Sequence, residues 1–236
     1  MAIRVLYLHE LRRMGGAERA LLGLADAIRQ VRVEPLMVWP PQGTAFAWLA
    51  SRGIRVVPLR VPRWRHGLSL PLFPLFLARL RRALLPTDVD LVHVNNYRSA
   101  PIGQFVSRWA DVPCVCHVRE MIAARAIRQY RLLSSNALIA VAGAVGHALQ
   151  AGGIPAARVT VVRSGVTPHD APPEAETIGL RGRLGISPHD PVLGIVAHML
   201  PHKGFDDLVQ ALALLTEKFP QAKCLVIGMA PRERYL

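Results

Sequence analysis

The sequence predicts an α/β protein with a parallel sheet, followed by a second, incomplete α/β unit. Three observations predict this fold class. Strand-like apolar runs alternate with helical patterns, and each run is almost continuously apolar, as expected of strands covered on both faces. A polar, proline-rich stretch at 167–176 interrupts the alternation, which then starts again. We therefore expect a Rossmann-like domain at 1–168, a linker at 169–190 and the start of a second such domain at 191–236.

The elements of the first domain follow from the apolar runs and the periodic segments between them. Helices are predicted near 17–30, 44–52 and 98–109. The segment 60–85 is basic and broken by proline. Strands are predicted at 3–8, 33–39, 55–59, 90–94, 113–118, 137–142 and 158–162.

The second unit is predicted to hold strands at 191–199 and 223–229 on either side of one helix, 205–219. Apolar residues recur in that helix at three- and four-residue steps and predict one buried stripe: Phe205, Leu208, Leu212, Leu215 and Phe219. Two strands and one helix cannot close a core, so we expect this domain to be truncated.

Composition and charge limit the class of protein. There are 29 lysines and arginines against 16 aspartates and glutamates, for a net charge of +13, and nearly all the cations are arginine. The arginines are scattered, which disfavours nucleic acid and leaves phosphorylated ligands or anionic lipid as partners. Three cysteines make no disulfide framework. No apolar run approaches the ~20 residues of a membrane span. We expect a cytoplasmic protein, either free or peripheral to the inner face of the membrane.

Paired glycines stand where the first strand leads into the first helix, in "MGGAER". A helix N-terminus with Gly15 and Gly16 would let an anionic ligand approach the backbone. The alternative is a tight turn, with Glu18 placed favourably for the helix dipole. The G-x-G-x-x-G fingerprint of dinucleotide binding is absent.

Two other short patterns suggest metal binding, and we predict none. In "CVCH", a strand would point Cys114 and Cys116 to one face and His117 to the other, so the three cannot converge on one ion. The D-x-D of Asp88 and Asp90 introduces a strand and is interpreted as its polar lead.

The segment 60–85 mixes apolar residues with tryptophan and arginine and leaves two interpretations open. It could meet an anionic membrane surface, or it could form a helix packed on the sheet with solvated arginines. The basic and tryptophan residues are Arg63, Trp64, Arg65, Arg79, Arg81 and Arg82.

Five segments, in order and with the expected spacing, resemble retaining glycosyltransferases of the GT-B fold, family-4 type. They are "RRMGGAERALLGLADAI", "DLVHVNN", "PCVCHVREM", "VVRSGV" and "GIVAHMLPHKGFDDLVQALALL". The resemblance implies transfer of a hexose from a nucleotide diphosphate sugar, UDP- or GDP-linked, to a cell-envelope lipid or polysaccharide. It implies no cofactor and no metal.

The resemblance also implies roles for single residues. His117 would be the catalytic residue beside the transferred sugar. Asn95, Arg119 and Glu120 would lie on the acceptor side. The residues for the nucleotide sugar would be Gly15, Gly16, His198, Lys203 and Gly204.

Two departures from the family pattern qualify these roles. His198 stands where the family has arginine, which predicts weaker diphosphate binding. The E-x7-E element of the second domain is absent, so we expect little or no transfer by this chain alone. The alternative function is a non-catalytic fragment that binds the acceptor or a membrane.

Overall fold

The computed structural model describes residues 2–10, 15–62, 72–84, 88–166, 168 and 170–228. The chain divides into two compact units, Met1–Thr167 and Pro168–Leu236, and each is described by itself. Part of the basic segment, including Arg63, Trp64 and Arg65, lies outside the described residues.

The first unit is built on a seven-stranded sheet in which every neighbouring pair is parallel. The strand order is β3-β2-β1-β4-β5-β6-β7, and the predicted Rossmann-like parallel sheet is thereby confirmed. Each strand lies within two residues of its expected bounds: β1 (Ile3–Leu8), β2 (Val33–Trp39), β3 (Arg55–Pro58), β4 (Leu91–Val94), β5 (Cys114–Val118), β6 (Ala137–Ala140) and β7 (Val159–Val161).

Six α-helices connect these strands among the described residues. They are α1 (Gly16–Ala27), α2 (Thr44–Ser51), α3 (Leu72–Leu84), α4 (Ala100–Ala110), α5 (Ala124–Gln129) and α6 (Gly143–Ala151). The sequence analysis did not predict α5 and α6, which are short; α5 has one large apolar residue, and α6 is rich in alanine and glycine, so neither shows a clear apolar period. Helix α1 ends earlier than predicted because a single 3₁₀ turn and the left-handed residue Arg32 follow it.

Both faces of the sheet carry a core, as the apolar strands predict. On one face, Leu6 and Leu8 of β1 pack with Val92 of β4 against α3 and α4. On the opposite face, Val5 and Tyr7 pack against α1 and α2. A third cluster joins β5 and β6 to α5 and α6 on the first of these faces. The alternation of side chains along β1 therefore assigns its residues to two separate cores.

The second unit contains one parallel pair, β8 (Val192–Val196) with β9 (Lys223–Ile227), and the connecting helix α8 (Phe205–Lys218). The predicted apolar stripe of α8 is only half-buried, and its last member, Phe219, is 48% exposed. The prediction of a buried stripe is wrong at this point because two strands cover too little of the helix.

A further helix, α7 (Glu174–Arg183), lies inside the segment predicted as a linker. Its first turn holds Glu174 and Glu176 and its last turn holds Arg181 and Arg183. Charges in this order complement the helix dipole, which offsets the poor helix propensity of the two glycines within it. Of the polar, proline-rich stretch 167–176 that suggested a linker, only residues 174–176 are helical.

Gly103 of α4 provides a test of how closely the helices pack on the sheet. A Cβ at this position would overlap Cγ2 of Val94, which is fully buried and β-branched. We expect Gly103→Ala to lower the free energy of unfolding by about 1–3 kcal/mol. Gly23→Ala in α1 is the control, because a Cβ there meets nothing within 4 Å. Urea unfolding followed by tryptophan fluorescence reports on the first unit, which holds all four tryptophans. Equal losses in the two variants would contradict this packing.

Candidate functional site

The candidate site lies at the carboxyl ends of three neighbouring strands. Strand β1 pairs with β2 on one side and β4 on the other, so the chain connections run in opposite directions from it. Open parallel sheets bind ligands in the crevice at such a switch point. His9 directly follows β1, Asn95 directly follows β4, and Arg119 directly follows β5. The topology brings these three polar residues to one edge of the sheet.

A chain of hydrogen bonds ties the first helix to two of these strand ends. His9 Nε2 lies 2.6 Å from Glu18 Oε1, and the backbone N–H of Gly15 donates to Glu18 Oε2 at 2.8 Å. The Asn95 amide lies 3.5 Å from His9 Nδ1 and donates to the Ala17 carbonyl at 3.3 Å. Because the amide nitrogen of Asn95 can only donate, this network assigns the acceptor role to His9 Nδ1 and the donor role to Nε2.

Glu18 accepts bonds on both carboxylate oxygens. Burial alone would raise its pKa, but the hydrogen bond and electrostatic interaction with His9, together with backbone N–H groups, bring the pKa below its usual value. Glu18 is therefore ionised at neutral pH. Beyond complementing the helix dipole, it fixes the position of His9 and the start of α1.

Arg119 extends the network to the third strand. Its Nε donates to Asn95 Oδ1 at 2.9 Å, and Nη1 donates to Ser164 Oγ at 3.3 Å. Burial lowers the pKa of Arg119, and the charge of Glu18 opposes that shift only in part. The guanidinium stays charged at neutral pH, because an arginine pKa lies far above 7.

His117 lies on β5 beside His93 of β4, with ring centroids 5.7 Å apart, and Tyr7 of β1 lies on the far side of His93 at 4.8 Å. Both histidines are 5% exposed. Burial lowers the pKa of His117 to about 4, with a contribution from Arg119. Burial, His117 and Arg119 together lower the pKa of His93 to about 3. Both imidazoles are therefore neutral near pH 7.

The polar atoms of these rings are not all satisfied. Both ring nitrogens of His117 and Nε2 of His93 are buried without a hydrogen-bond partner among the described residues. Buried polar atoms normally have partners, and exceptions often mark functional positions. A neutral His117 can give or accept a hydrogen bond to a sugar hydroxyl, but at neutral pH it cannot supply a positive charge.

Glu120 follows Arg119 in sequence but has a different partner. Arg98 Nη1 donates to Glu120 Oε1 at 2.6 Å, and the Arg98 guanidinium lies 4.6 Å from the centre of the Tyr97 ring. The structure therefore places Arg119 in the buried network and Glu120 in an exposed ion pair. Their shared assignment to the acceptor side stays a prediction.

The paired glycines do not form a tight turn that requires left-handed backbone. Gly15 is extended, with φ −140°, and Gly16 is absent from the positive-φ residues. A Cβ on Gly15 would lie 3.0 Å from Glu18 Oε2, whereas one on Gly16 would meet no described atom within 4 Å. Gly16 thus begins α1 beside open space, where the first-turn N–H groups have no intrahelical partner.

The predicted donor-side residues lie in the second unit. His198 follows β8 in a loop, Lys203 ends a single 3₁₀ turn, and Gly204 caps α8 with a left-handed φ of +72°. A side chain at this φ is strained, which explains the glycine. Asp206 and Asp207 occupy the first turn of α8. The roles of His198, Lys203 and Gly204 stay predictions.

The residues weighed as metal ligands have other environments. Asp90 Oδ2 accepts the backbone N–H of Arg4 at 2.7 Å, and Asp88 pairs with the Arg4 side chain at 3.5 Å, at the amino ends of β1 and β4. Cys114 and Cys116 are buried in the apolar clusters. Burial raises the pKa of the Cys114 thiol to about 12. Among the described residues, no three histidine, cysteine or acidic side chains are grouped to hold a metal.

Sequence reasoning missed three members of the site: His9, His93 and Ser164. His9 carried a usable signal, since it is the first polar residue after β1, as Asn95 is after β4. Ser164 carried none, because it joins the network through a contact 45 residues distant in sequence from Arg119.

The buried histidine pair predicts acid destabilisation of the first unit. The folded pKa values of His93 and His117 lie below the ordinary 6.5, so their contribution to stability is complete above pH 6.5 and is lost as the pH falls toward about 4. Each histidine should change the free energy of unfolding by about 1.4 kcal/mol per pH unit in this window. Urea unfolding followed by tryptophan fluorescence measures this slope.

His93→Phe should flatten the pH dependence, because only one of the two histidines then titrates on unfolding. The exposed His147 on α6 supplies the control, since His147→Gln should leave the slope unchanged. An unchanged slope in the His93 variant would mean that this imidazole already binds its proton in the folded state.

The sequence matches the model of one protein family, and the structure resembles several solved structures. The model of Glycosyltransferase Family 4 matches residues 14–170, more than half of the chain. No curated protein sequence matches the chain.

Solved structures share the fold at low sequence identity. Anabaena HepE, crystallised with UDP and glucose, is 22% identical with a TM-score of 0.73, over 97% of this chain and 62% of HepE. A glycosyltransferase from Rickettsia africae is 18% identical with a TM-score of 0.75, over 96% of this chain and 60% of its own. WaaG, involved in lipopolysaccharide biosynthesis, is 17% identical with a TM-score of 0.62, over 97% of this chain and 64% of its own.

This chain therefore spans less than two thirds of each of these proteins, and at these identities the likeness concerns the fold. The fold is GT-B, with the complete seven-stranded unit followed by part of the second. The family match covers the site residues from Gly15 to Ser164, and His9 lies before the matched segment. Both findings agree with the order of motifs along the sequence, and the chain belongs to Glycosyltransferase Family 4.

Proposed function

We propose that the protein transfers a hexose from a nucleotide diphosphate sugar to a cell-envelope lipid or polysaccharide, with retention of configuration and without a metal. The observation that carries the proposal is His117, a buried neutral imidazole with two unpartnered nitrogens. It lies at the same sheet edge as Asn95 and Arg119. UDP-glucose is the first donor to test, because HepE was crystallised with it. The role of WaaG in lipopolysaccharide biosynthesis supports an envelope acceptor.

The proposed chemistry requires the site to recognise a sugar and to stabilise a leaving diphosphate. A neutral His117 would hydrogen-bond a hydroxyl of the transferred sugar and so hold the reacting carbon in place. Negative charge grows on the diphosphate as the glycosidic bond breaks. The start of α1 beside Gly16 is the group of the first unit that we assign to that charge, since a fixed dipole stabilises it without reorganisation.

Titration of UDP-glucose into the full-length natural protein, with an assay of sugar transfer, tests the proposal. His117→Ala should lower kcat/KM about 10- to 100-fold, because a hydrogen bond made in the transition state is lost. His147→Ala is the control, as that residue is exposed on α6. If the protein neither binds nor transfers UDP- or GDP-linked hexoses, the proposal is contradicted. The same assay on the 236-residue chain tests the expectation that it transfers little or no sugar.

A second candidate function, membrane association, is favoured by the surface of α3 and α4. Four large apolar side chains on these helices are 43–58% exposed: Leu72, Leu75, Phe105 and Trp109. Phe73 packs edge-on against Phe105, with ring centroids 5.6 Å apart, so the two helices present one apolar area. Neither helix contains an acidic residue, and both carry exposed arginines: Arg79, Arg81, Arg82 and Arg108.

This combination suits the surface of an anionic membrane, where apolar side chains enter the interface and arginines meet lipid phosphates. None of the described helices is long and apolar enough to cross a bilayer. A cytoplasmic location at the inner face of the membrane is part of the proposal, and the surface of α3 and α4 is the observation that supports contact with lipid. The sequence analysis considered membrane contact only for segment 60–85. The structure adds α4 to the proposed membrane-facing surface.

Co-sedimentation with vesicles of phosphatidylcholine, with and without phosphatidylglycerol, tests the surface of α3 and α4. Replacing Arg79, Arg81 and Arg82 by glutamine should weaken binding to anionic vesicles about 100-fold, at about 1 kcal/mol per arginine. Phe105→Ser with Trp109→Ser should weaken binding by a similar order. Leu133→Ser, 47% exposed and outside both helices, is the control. If vesicle binding is the same with and without anionic lipid and in all these variants, this surface does not bind the membrane.

A further inference from the structure

Arg119 holds a charge that no carboxylate neutralises within salt-bridge distance among the described residues. Its two hydrogen-bond partners, Asn95 and Ser164, are both neutral. The charge of Glu18 acts on Arg119. Both carboxylate oxygens of Glu18, however, bond other groups, namely His9 and the N–H of Gly15. Burying part of a cation without a paired anion is unfavourable. The folded structure therefore retains Arg119 at a cost to stability.

The partners of Arg119 fix its orientation and leave donors free. Nε is held by the amide oxygen of Asn95, a residue with no exposed surface, and Nη1 reaches Ser164. A guanidinium has five N–H donors, and these two bonds leave three of them. The remaining donors form the planar fork that matches two oxygens of a phosphate or carboxylate.

The neighbouring Arg98 shows what a structurally satisfied arginine looks like in the same region. Its guanidinium donates to Glu120 at 2.6 Å and lies over the Tyr97 ring. Both arginines are partly buried, but among the described residues Arg119 has neither type of partner. Around it lie the unpartnered nitrogens of His117 and His93, which are neutral and supply no counter-charge.

We propose that Arg119 binds an oxyanion, a phosphate or carboxylate group of a substrate, with Asn95 and Ser164 as the residues that position it. That the anion belongs to a substrate rests on the proposed function, whereas the binding itself does not. Two sources share this chemistry: the diphosphate of the donor and an anionic group on the acceptor. If the acceptor carries the anion, Arg119 selects a phosphorylated or acidic acceptor over a neutral one.

Inorganic phosphate is the probe, titrated into the full chain while the arginine Nε–H signals are followed by NMR. One Nε–H signal, absent in Arg119→Gln, should shift with phosphate and not with an equal concentration of chloride. Arg119→Gln should bind phosphate at least about 10-fold more weakly, because charged and bidentate hydrogen bonds are lost. Arg98→Gln is the matched control and should bind phosphate as the unaltered chain does.

Two further variants guard against simple misfolding. Arg119→Lys keeps the charge without the fork and should retain part of the affinity. Asn95→Asp places a carboxylate against Arg119 and should weaken phosphate binding while Arg119 remains. Thermal unfolding without phosphate checks that each variant is folded. Two results would overturn the proposal. One is that folded Arg119→Gln binds phosphate as tightly as the unaltered chain does, and the other is that the unaltered chain does not bind phosphate.

Competition separates the two sources of the anion. Displacement of phosphate by UDP assigns Arg119 to the donor diphosphate, and displacement by glucose 6-phosphate but not by UDP assigns it to the acceptor. Either result supports an oxyanion site. Phosphate binding that depends on Arg119, in a protein that shows no sugar transfer, would overturn the proposed function and leave this site standing.

Discussion

The pairing of β1 with both β2 and β4 is the constraint on which the rest of this structure depends. Because β1 is central, its side chains supply two cores, with Leu6 and Leu8 on one face and Val5 and Tyr7 on the other. Because the chain leaves β1 toward β2 and later returns beside it as β4, the loops after β1 and β4 diverge. His9 and Asn95 lie within that divergence and can bond each other only because β1 and β4 are neighbours in register.

The polar network at this edge shows how the sheet tolerates buried polar groups. Glu18 bonds His9, and His9 bonds Asn95, which also donates to the Ala17 carbonyl. Each of these hydrogen bonds pairs a donor with an acceptor. The network ends at Arg119. His93 and His117 lie nearby on β4 and β5, and Nε2 of His93 and both ring nitrogens of His117 have no hydrogen-bond partner among the described residues. Satisfied polar groups specify a structure, whereas unsatisfied ones lower its stability. Of the five buried side-chain atoms without a partner among the described residues, three belong to His93 and His117 on β4 and β5, beside the end of the network.

Most of the fold was predictable from sequence because the strands of a covered parallel sheet are continuously apolar. The bounds of β1 through β7 follow from that property alone. Helices α5 and α6 were not predicted, since such short segments show little periodicity, and α7 was hidden in a polar stretch expected to be a linker. The site divides similarly. Local patterns indicated Gly15, Gly16 and His117, whereas the bonds from Arg119 to Asn95 and Ser164 join residues distant in sequence and require the folded sheet.

The paired glycines acquire a narrower physical meaning from this structure. Left-handed backbone is not the reason for either, because Gly15 is extended and Gly16 begins a regular helix. Gly15 leaves room for the Glu18 carboxylate that bonds its N–H, since a Cβ would crowd Oε2. Gly16 meets nothing, so its lack of a side chain serves no internal contact among the described residues. The two glycines thus separate into one that admits an internal anion and one that leaves the helix start accessible. An accessible helix start beside an ionised Glu18 binds a second anion only with help from further positive charge, and Arg119, which the same hydrogen-bond network positions, carries such a charge.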